Sequence, residues 1–171
     1  MKFEQRWRYP VAVTQLMTAL TSRACYAARY HLDVHDAAAF ELWQQTPAGL
    51  RLRIVKQVPI RVERLPLLLR SLVAPQMPLY VEFFWHDLQE GQTCQQARAD
   101  LSLWLGKLPL IVEGRLTVSG QGEQSEQHLQ AELISRLPLV SKKMLEKVLP
   151  RVEALLEEDQ QALLAYLHAS G

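Results

Sequence analysis

The sequence is poor in cysteine and contains no apolar run long enough to cross a membrane. Its two cysteines, Cys25 and Cys94, lie far apart and match no metal-binding spacing. No apolar run approaches the roughly 20 residues that a membrane-spanning helix needs. The N-terminal stretch Met1–Arg8 lacks the apolar core of a signal peptide. These absences predict a cytoplasmic protein without a transmembrane segment.

Neither sign of charge is in excess. Lys and Arg number 19, against 18 for Asp and Glu. This balance gives no basic footprint for nucleic acid and no strong overall field. We therefore expect no nucleic-acid partner, and we interpret the cluster of Lys142, Lys143 and Lys147 as a solvated helix face.

Motifs for metal binding and catalysis are also scarce. His31 and His35 have the i, i+4 spacing of a helical metal site, but Asp33 and Asp36 favour a loop with surface histidines. Residues 119–122 lack the strand-to-helix setting of a phosphate loop or a nucleophile elbow and indicate a hairpin turn. No Ser/His/Asp or Cys/His set stands out. The sequence thus predicts no metal and no cofactor, and it favours binding over catalysis.

What the sequence does contain is a series of alternating, strand-like segments. The first has Phe3, Gln5, Trp7 and Tyr9 on one face. Two short helical patterns follow, and then six strands: His35–Gln45, Leu50–Val58, Leu79–His86, Thr93–Leu105, Leu110–Val118 and a last strand carrying Leu129 to Leu133. Turns are expected at Thr46–Gly49, Glu90–Gly91 and Gly106–Lys107, and Gly114 indicates a bulge or bend.

The C-terminal segment Leu139–His168 reads as one long amphipathic helix. Its apolar stripe is wide and needs a large apolar surface to lie on, and a sheet of seven strands with one apolar face supplies it. Pro150 removes one helical hydrogen bond and predicts a bend there. Because strands follow one another instead of alternating with helices, residues 1–171 are expected to form a single α+β domain with an antiparallel sheet.

A segment rich in leucine and proline interrupts the strands between residues 59 and 78. Pro66 suits the first turn of a short helix over Leu67–Val73. This insert is too apolar for an ordinary loop. We predict a lid that packs on the first two helices through Leu16, Leu20 or Tyr26; a fixed plug that completes the core is the alternative. The predicted lid residues are Leu67, Leu68, Leu69, Leu72 and Val73.

Four parts of the chain carry a family resemblance: Met1–Glu4 with Tyr9, Val58–Pro59 with Leu65–Pro66, Leu137–Lys147, and Glu153–Asp159. With its order of elements, the chain resembles the START-like, or SRPBCC, superfamily, and within it an uncharacterised bacterial family of single-domain proteins. The resemblance implies a helix-grip fold: a curved seven-stranded antiparallel sheet wrapped around the C-terminal helix. The superfamily includes lipid-transfer domains, polyketide cyclases, aromatases and ligand binders. The resembling family brings no known substrate or catalytic residue.

The gap between sheet and helix is the predicted ligand cavity, and a filled core is the alternative. The residues expected to face it are Trp7, Phe83, Trp85, Leu101, Leu103, Val152, Leu155, Leu156 and Asp159. Asp159 is the carboxylate on the apolar stripe of the helix. With Gln5 and Lys56 it would orient a ligand's polar end; we favour the alternative, in which water at the sheet edge solvates Asp159, because a buried carboxylate needs a partner.

Three functions remain open at this point. The first is binding or carriage of a small hydrophobic ligand, either a lipid or an aromatic metabolite, with transient membrane contact left open. The second is an enzyme of the cyclase or aromatase type that uses polar groups in the cavity. The third is a protein-interaction module that uses the apolar insert. The sequence does not fix the oligomeric state.

Overall fold

The computed structural model describes residues 1–88 and 95–171. Its elements are β1 (Lys2–Tyr9), α1 (Val13–Leu20), α2 (Arg23–Tyr30), β2 (Leu42–Thr46), β3 (Gly49–Pro59), a 3₁₀ turn (Val62–Arg64), α3 (Leu67–Arg70), β4 (Gln76–His86), β5 (Gln96–Leu105), β6 (Leu110–Gln121), β7 (Gln124–Ser135) and α4 (Lys142–Ser170). The predicted turn at Glu90–Gly91 and the predicted strand start at Thr93 lie outside the described residues.

The described strands form one antiparallel sheet in the order β1-β7-β6-β5-β4-β3-β2. Each pair is antiparallel, and β1 closes one edge by pairing with the last strand, Trp7 facing Gln127. Alternate residues of every long strand are buried, as the period of two predicts, and together they make one apolar face. The α+β class, the helix-grip arrangement and the two short helices after β1 are confirmed.

Helix α4 lies against this apolar face and buries Leu156, Gln160, Leu163 and Leu167. Its first turn is capped because the Ser141 side chain accepts a hydrogen bond from the Met144 amide. The helix runs unbroken through Pro150; the bend expected there stays a prediction. Helix α2 packs directly on α4 and also contacts the sheet, since the Tyr26 ring lies 6.0 Å from the ring of Phe83 on β4.

Two local expectations were wrong. The strand expected from His35 begins only at Leu42, because the carboxylates of Asp33 and Asp36 accept hydrogen bonds from the amides of His35 and Ala38 and fold residues 33–39 into turns. Gly114 marks no bulge, since β6 pairs residue for residue with both neighbours; a bend at this position stays a prediction. A Cβ there would lie 2.7 Å from the Ala131 Cβ, so Gly114 permits a close approach of two strands.

Candidate ligand-binding site

An apolar groove opens at the end of the sheet where β3, β5 and β7 finish and α4 begins. It has a volume of about 560 Å3, within the range of roughly 300–1,000 Å3 that is typical of ligand pockets. The sheet contributes its floor, the first half of α4 one wall, and the start of the insert another. The apolar lining includes Val58, Leu65, Leu79, Leu103, Leu105, Leu110, Val112, Leu133, Val148, Val152 and Leu155.

Charged side chains lie at the boundary of this groove. Arg61 and Arg64 come from the insert, and Arg151 and Glu158 from α4. All four are exposed to solvent. The groove therefore combines an apolar interior with a mainly cationic rim, which suits a hydrophobic molecule that carries a negative or polar end.

A second, much smaller cavity of about 20 Å3 lies deeper between α4 and the sheet. We call it the polar cavity, because Arg29, Tyr30, Gln127, Asp159 and Gln160 share its lining with apolar side chains. Its volume is about that of one water molecule. Leu103 lines both spaces, so the polar cavity and the groove are neighbours at this side chain.

A buried ion pair dominates the polar cavity. The Arg29 guanidinium donates twice to the Asp159 carboxylate, from Nε to Oδ1 at 2.9 Å and from Nη2 to Oδ2 at 2.7 Å. The Tyr30 hydroxyl also donates to Oδ2, at 3.0 Å. The side chains of Arg29 and Asp159 are only 2% and 11% exposed. This two-bond geometry satisfies the carboxylate and joins α2 to α4.

Burial and this ion pair shape the ionisation of the cavity groups. Burial alone would lower the pKa of Arg29, but the Asp159 carboxylate, with smaller contributions from Tyr30 and Tyr26, outweighs burial and raises that pKa well above its usual value. Burial raises the pKa of Tyr30 far above normal, and the negative charge of Asp159 raises it further. Burial also raises the pKa of the Cys25 thiol to about 11. Arg29 thus stays charged and Tyr30 neutral at physiological pH.

Two buried donors of the polar cavity retain hydrogen-bonding capacity. Arg29 Nη1 and Gln127 Nε2 make no hydrogen bond to any described residue. Nearby, the Tyr9 hydroxyl donates to Gln160 Oε1. An acceptor oxygen inside the cavity would therefore find two donors, one of them cationic.

The structure divides the predicted cavity residues between these two spaces. Leu103, Val152 and Leu155 line the groove. Trp85 lies in the packed core, where its ring stacks on Phe83 with 6.1 Å between centroids. The remaining predicted residues line the polar cavity, together with Leu103: Trp7, Phe83, Leu101, Leu156 and Asp159.

Our favoured interpretation of Asp159 was wrong. It is not solvated at the sheet edge but paired with Arg29 inside the protein. The expected grouping of Asp159 with Gln5 and Lys56 is not seen either. The Gln5 side chain donates to the Glu153 carbonyl at 3.5 Å, and Lys56 is half-buried on β3. The buried carboxylate does have a partner, as expected, but that partner, Arg29, lies on a helix 130 positions earlier in the chain.

Several polar residues of the site were missed, although the sequence gives signals for two of them. Gln127 has the same strand parity as Leu129 and Leu133, and so faces inward. Gln160 lies four residues after Leu156 and three before Leu163, within the apolar stripe. Arg29 gave no comparable signal, because a cation on a short helix is usually exposed.

The insert differs from its predicted form. Its α-helix is shorter, Leu67–Arg70, and a 3₁₀ turn precedes it. Leu69 is fully buried and Val73 half-buried, whereas Leu67, Leu68 and Leu72 are exposed. The Arg70 guanidinium donates to the carbonyls of Leu65 and Glu63, both at 2.8 Å, and so ties the insert together. Opening as a lid, and packing on Leu16, Leu20 or Tyr26, stay predictions.

Neither a metal centre nor a membrane-spanning helix is found within residues 1–88 and 95–171. No three His, Cys, Asp or Glu side chains there are grouped to hold a metal ion. His31 caps α2 in the left-handed conformation, and His35 lies in the following loop, so the two do not share a helix. No helix in these residues is both long and apolar enough to span a bilayer.

The long helix α4 lying on a seven-stranded antiparallel sheet, with space left between them, is a helix-grip fold. The chain belongs to the family described as Protein of unknown function (DUF2505), which it matches over residues 4–167. No curated protein matches the chain. Family membership therefore assigns no activity.

Solved structures of the same fold come from several bacteria. The TTHA0849 protein of Thermus thermophilus has a TM-score of 0.62 and 13% identity, covering 100% of this chain and 99% of its own. The Zhui aromatase/cyclase from a Streptomyces species gives 0.58 and 11%, covering 98% and 93%. A START superfamily protein from Mycobacterium smegmatis gives 0.55 and 11%, covering 99% of both chains. At these identities the likeness establishes the fold alone.

Proposed function

We propose that this protein binds and carries a small hydrophobic molecule, a lipid or an aromatic metabolite, in the groove between the sheet and α4. The observation that carries the proposal is the groove itself: about 560 Å3, open to the surface, with a mainly apolar lining. The apolar lining is the distinctive feature, because apolar side chains left facing an open groove gain free energy when an apolar ligand covers them. We place this binding function in the cytoplasm.

The rim and the polar cavity support a ligand with one polar end. The exposed guanidiniums of Arg61, Arg64 and Arg151 suit a negative group at the groove opening. In the other orientation, a displaced Leu103 would let a ligand oxygen reach Arg29 Nη1 and Gln127 Nε2. Either orientation leaves the apolar body of the ligand against Val152 and Leu155.

The enzyme alternative has less support. A cyclase or aromatase needs a group that exchanges protons near neutral pH. In the polar cavity Arg29 is held charged by Asp159, and burial keeps the phenol of Tyr30 neutral by raising its pKa. That cavity, at about 20 Å3, is also too small for a substrate. We therefore assign these groups to orientation and stability.

An obstructing variant tests the proposal. Val152→Trp places a large ring in the groove, and Ala165→Trp adds the same ring to an exposed position of the same helix. Titration with the uncharged apolar dye N-phenylnaphthylamine should show saturable binding to the wild type and to Ala165→Trp. Binding should be lost in Val152→Trp at unchanged helix content. Equal binding by both variants, or no saturable binding by the wild type, would refute the groove as the site.

A further inference from the structure

Four large apolar side chains remain exposed in the described part of the chain. Leu67 is 78% exposed, Leu139 77%, Leu72 41% and Leu68 37%. Three belong to the insert, and Leu139 precedes α4. Since large apolar side chains gain from leaving water, a surface that keeps four of them exposed is suited to an apolar partner. We call these four residues the leucine tip.

The strand register brings the leucine tip to one end of the molecule. The insert leaves the sheet where Pro59 of β3 faces Gln76 of β4. Strand β7 runs in the same direction as β3 and ends at Ser135, just before the segment that carries Leu139. The β5–β6 turn lies at this end too, since the Gly106 amide donates to the Pro78 carbonyl. At about 4.8 Å per strand, β4 and β7 lie roughly 14 Å apart.

The segments at this end concentrate positive charge. Residues 60–75 contain three arginines and one acid, Glu63; residues 136–151 contain five basic residues and one acid, Glu146; and the turn at 105–109 adds Lys107. These segments hold nine of the 19 Lys and Arg but two of the 18 Asp and Glu. Their net charge is +7, which leaves −6 for the rest of a chain whose total is +1. The overall balance therefore conceals a strongly polarised molecule.

The groove opens at the same end. Arg61, Arg64 and Leu65 of the insert line it, and so do Val148 and Arg151 near the start of α4. The four leucines of the tip are not needed to form that lining, so they have no assigned role in the groove. An apolar tip, a basic surround and an opening to an apolar groove thus share one face.

We propose that this face docks on the surface of an anionic lipid bilayer, with the leucine tip among the acyl chains and the surrounding basic residues at the headgroups. Exposed leucines alone would fit a protein partner equally well. The net charge of +7 on the same segments favours the bilayer, because anionic lipids attract clustered Lys and Arg. Docking would present the groove to the membrane. The docking proposal does not depend on whether the groove binds the proposed ligand.

Vesicle flotation with four double variants and the wild type tests this docking. The vesicles are phosphatidylcholine alone, or phosphatidylcholine mixed with phosphatidylglycerol. Lys142→Glu with Lys143→Glu reverses charge beside the tip, and Leu67→Ser with Leu139→Ser removes the two most exposed leucines. Arg8→Glu with Arg98→Glu changes the net charge equally at the other end of the sheet, where both side chains are exposed. Gln121→Ser with Gln124→Ser places two serines at exposed positions of the β6–β7 hairpin.

The wild type should float with the anionic vesicles only, and less at high salt. The lysine variant and the leucine variant, which change the tip, should each bind the anionic vesicles at least about tenfold more weakly than the wild type. The arginine and glutamine control variants should keep wild-type vesicle binding. All four variants should bind N-phenylnaphthylamine as the wild type does. Three results would overturn the proposal: no wild-type flotation, equal loss in the Arg8 and Arg98 variant, or undiminished binding without the two leucines. A further result would also overturn the proposal: a wild type that does not float but self-associates, with the self-association lost when Leu67 and Leu139 are replaced by Ser. That result would assign the leucine tip to contact with a second copy of the chain.

Discussion

At the residue scale, the ion pair between Arg29 and Asp159 is the most consequential single contact. Both side chains lie inside the protein and make two hydrogen bonds with each other. Removing one partner of a buried pair leaves the other charge without compensation. The pair therefore fixes α2 against α4, and with them the walls of the polar cavity.

Asp159→Ala should lower the free energy of unfolding by about 3–5 kcal/mol. Glu158→Ala, an exposed neighbour on the same helix, should change it by less than about 0.5 kcal/mol. Replacing both Arg29 and Asp159 by Leu should cost less than the sum of the losses in Arg29→Leu and Asp159→Leu measured separately, because no unpaired charge remains in the double variant. Urea denaturation measures all of these. Strict additivity would show that the two groups do not interact energetically.

The buried titratable groups predict loss of stability in alkali. Folding raises the pKa of Cys25 from 9.0 to about 11, and burial also raises the pKa values of Tyr9, Tyr26 and Tyr30. Above pH 9 the unfolded chain therefore holds fewer protons than the folded one, and the free energy of unfolding falls as pH rises. Denaturation curves from pH 8 upward, at about one-unit steps, measure this. Tyr30→Phe should show a shallower decline, and a flat profile up to pH 11 would contradict the prediction.

At the scale of elements, the sequence predicted what depends on periodicity. Trp7 and Tyr9, Leu101 and Leu103 were placed on the correct faces because alternation fixes strand sides. The sequence-based prediction missed contacts between residues distant in the chain, and it missed side chains that hydrogen-bond to the local backbone in place of strand pairing. The Arg29–Asp159 contact spans 130 positions, and the carboxylates of Asp33 and Asp36 turned the first part of a predicted strand into a loop. The division into groove and polar cavity depends on side-chain packing around Leu103, which no pattern encodes.

Close packing of β6 on β7 at Gly114 can be tested by adding a single methyl group. Gly114→Ala would bring its Cβ to 2.7 Å from both the Ala131 Cβ and the Gln130 carbonyl oxygen. We expect a loss of about 1–3 kcal/mol in the free energy of unfolding, because the strands must separate. Glu113→Ala, at the exposed neighbouring position, is the control. A neutral Gly114→Ala in thermal denaturation would mean that the strands adjust freely.

The insert should open more readily than the elements it joins. It contains one short α-helix and one 3₁₀ turn, and three of its leucines are exposed. We expect its amides to exchange with deuterium faster than those of α4 in the empty protein, and to slow when ligand fills the groove. Mass-spectrometric hydrogen exchange measures both. Protection equal to that of β5 and β6, unchanged by ligand, would identify a fixed plug instead of a lid.

At the scale of the whole molecule, the fold places several features at one end. The groove opens there, the insert lies beside it, and a net charge of +7 surrounds four exposed leucines. The sequence predicted the helix-grip architecture through its family resemblance and element order. It gave no indication of the charge separation, because segments distant along the chain meet only when the sheet forms.

Native mass spectrometry of the protein purified from the organism that makes it tests the central claim most directly. The groove predicts one small apolar molecule bound per chain in the wild type and in Ala165→Trp, released on unfolding, and absent from Val152→Trp. A wild-type protein that carries no small molecule from its own cells, or a Val152→Trp variant that carries as much as the wild type, would contradict ligand carriage in the groove.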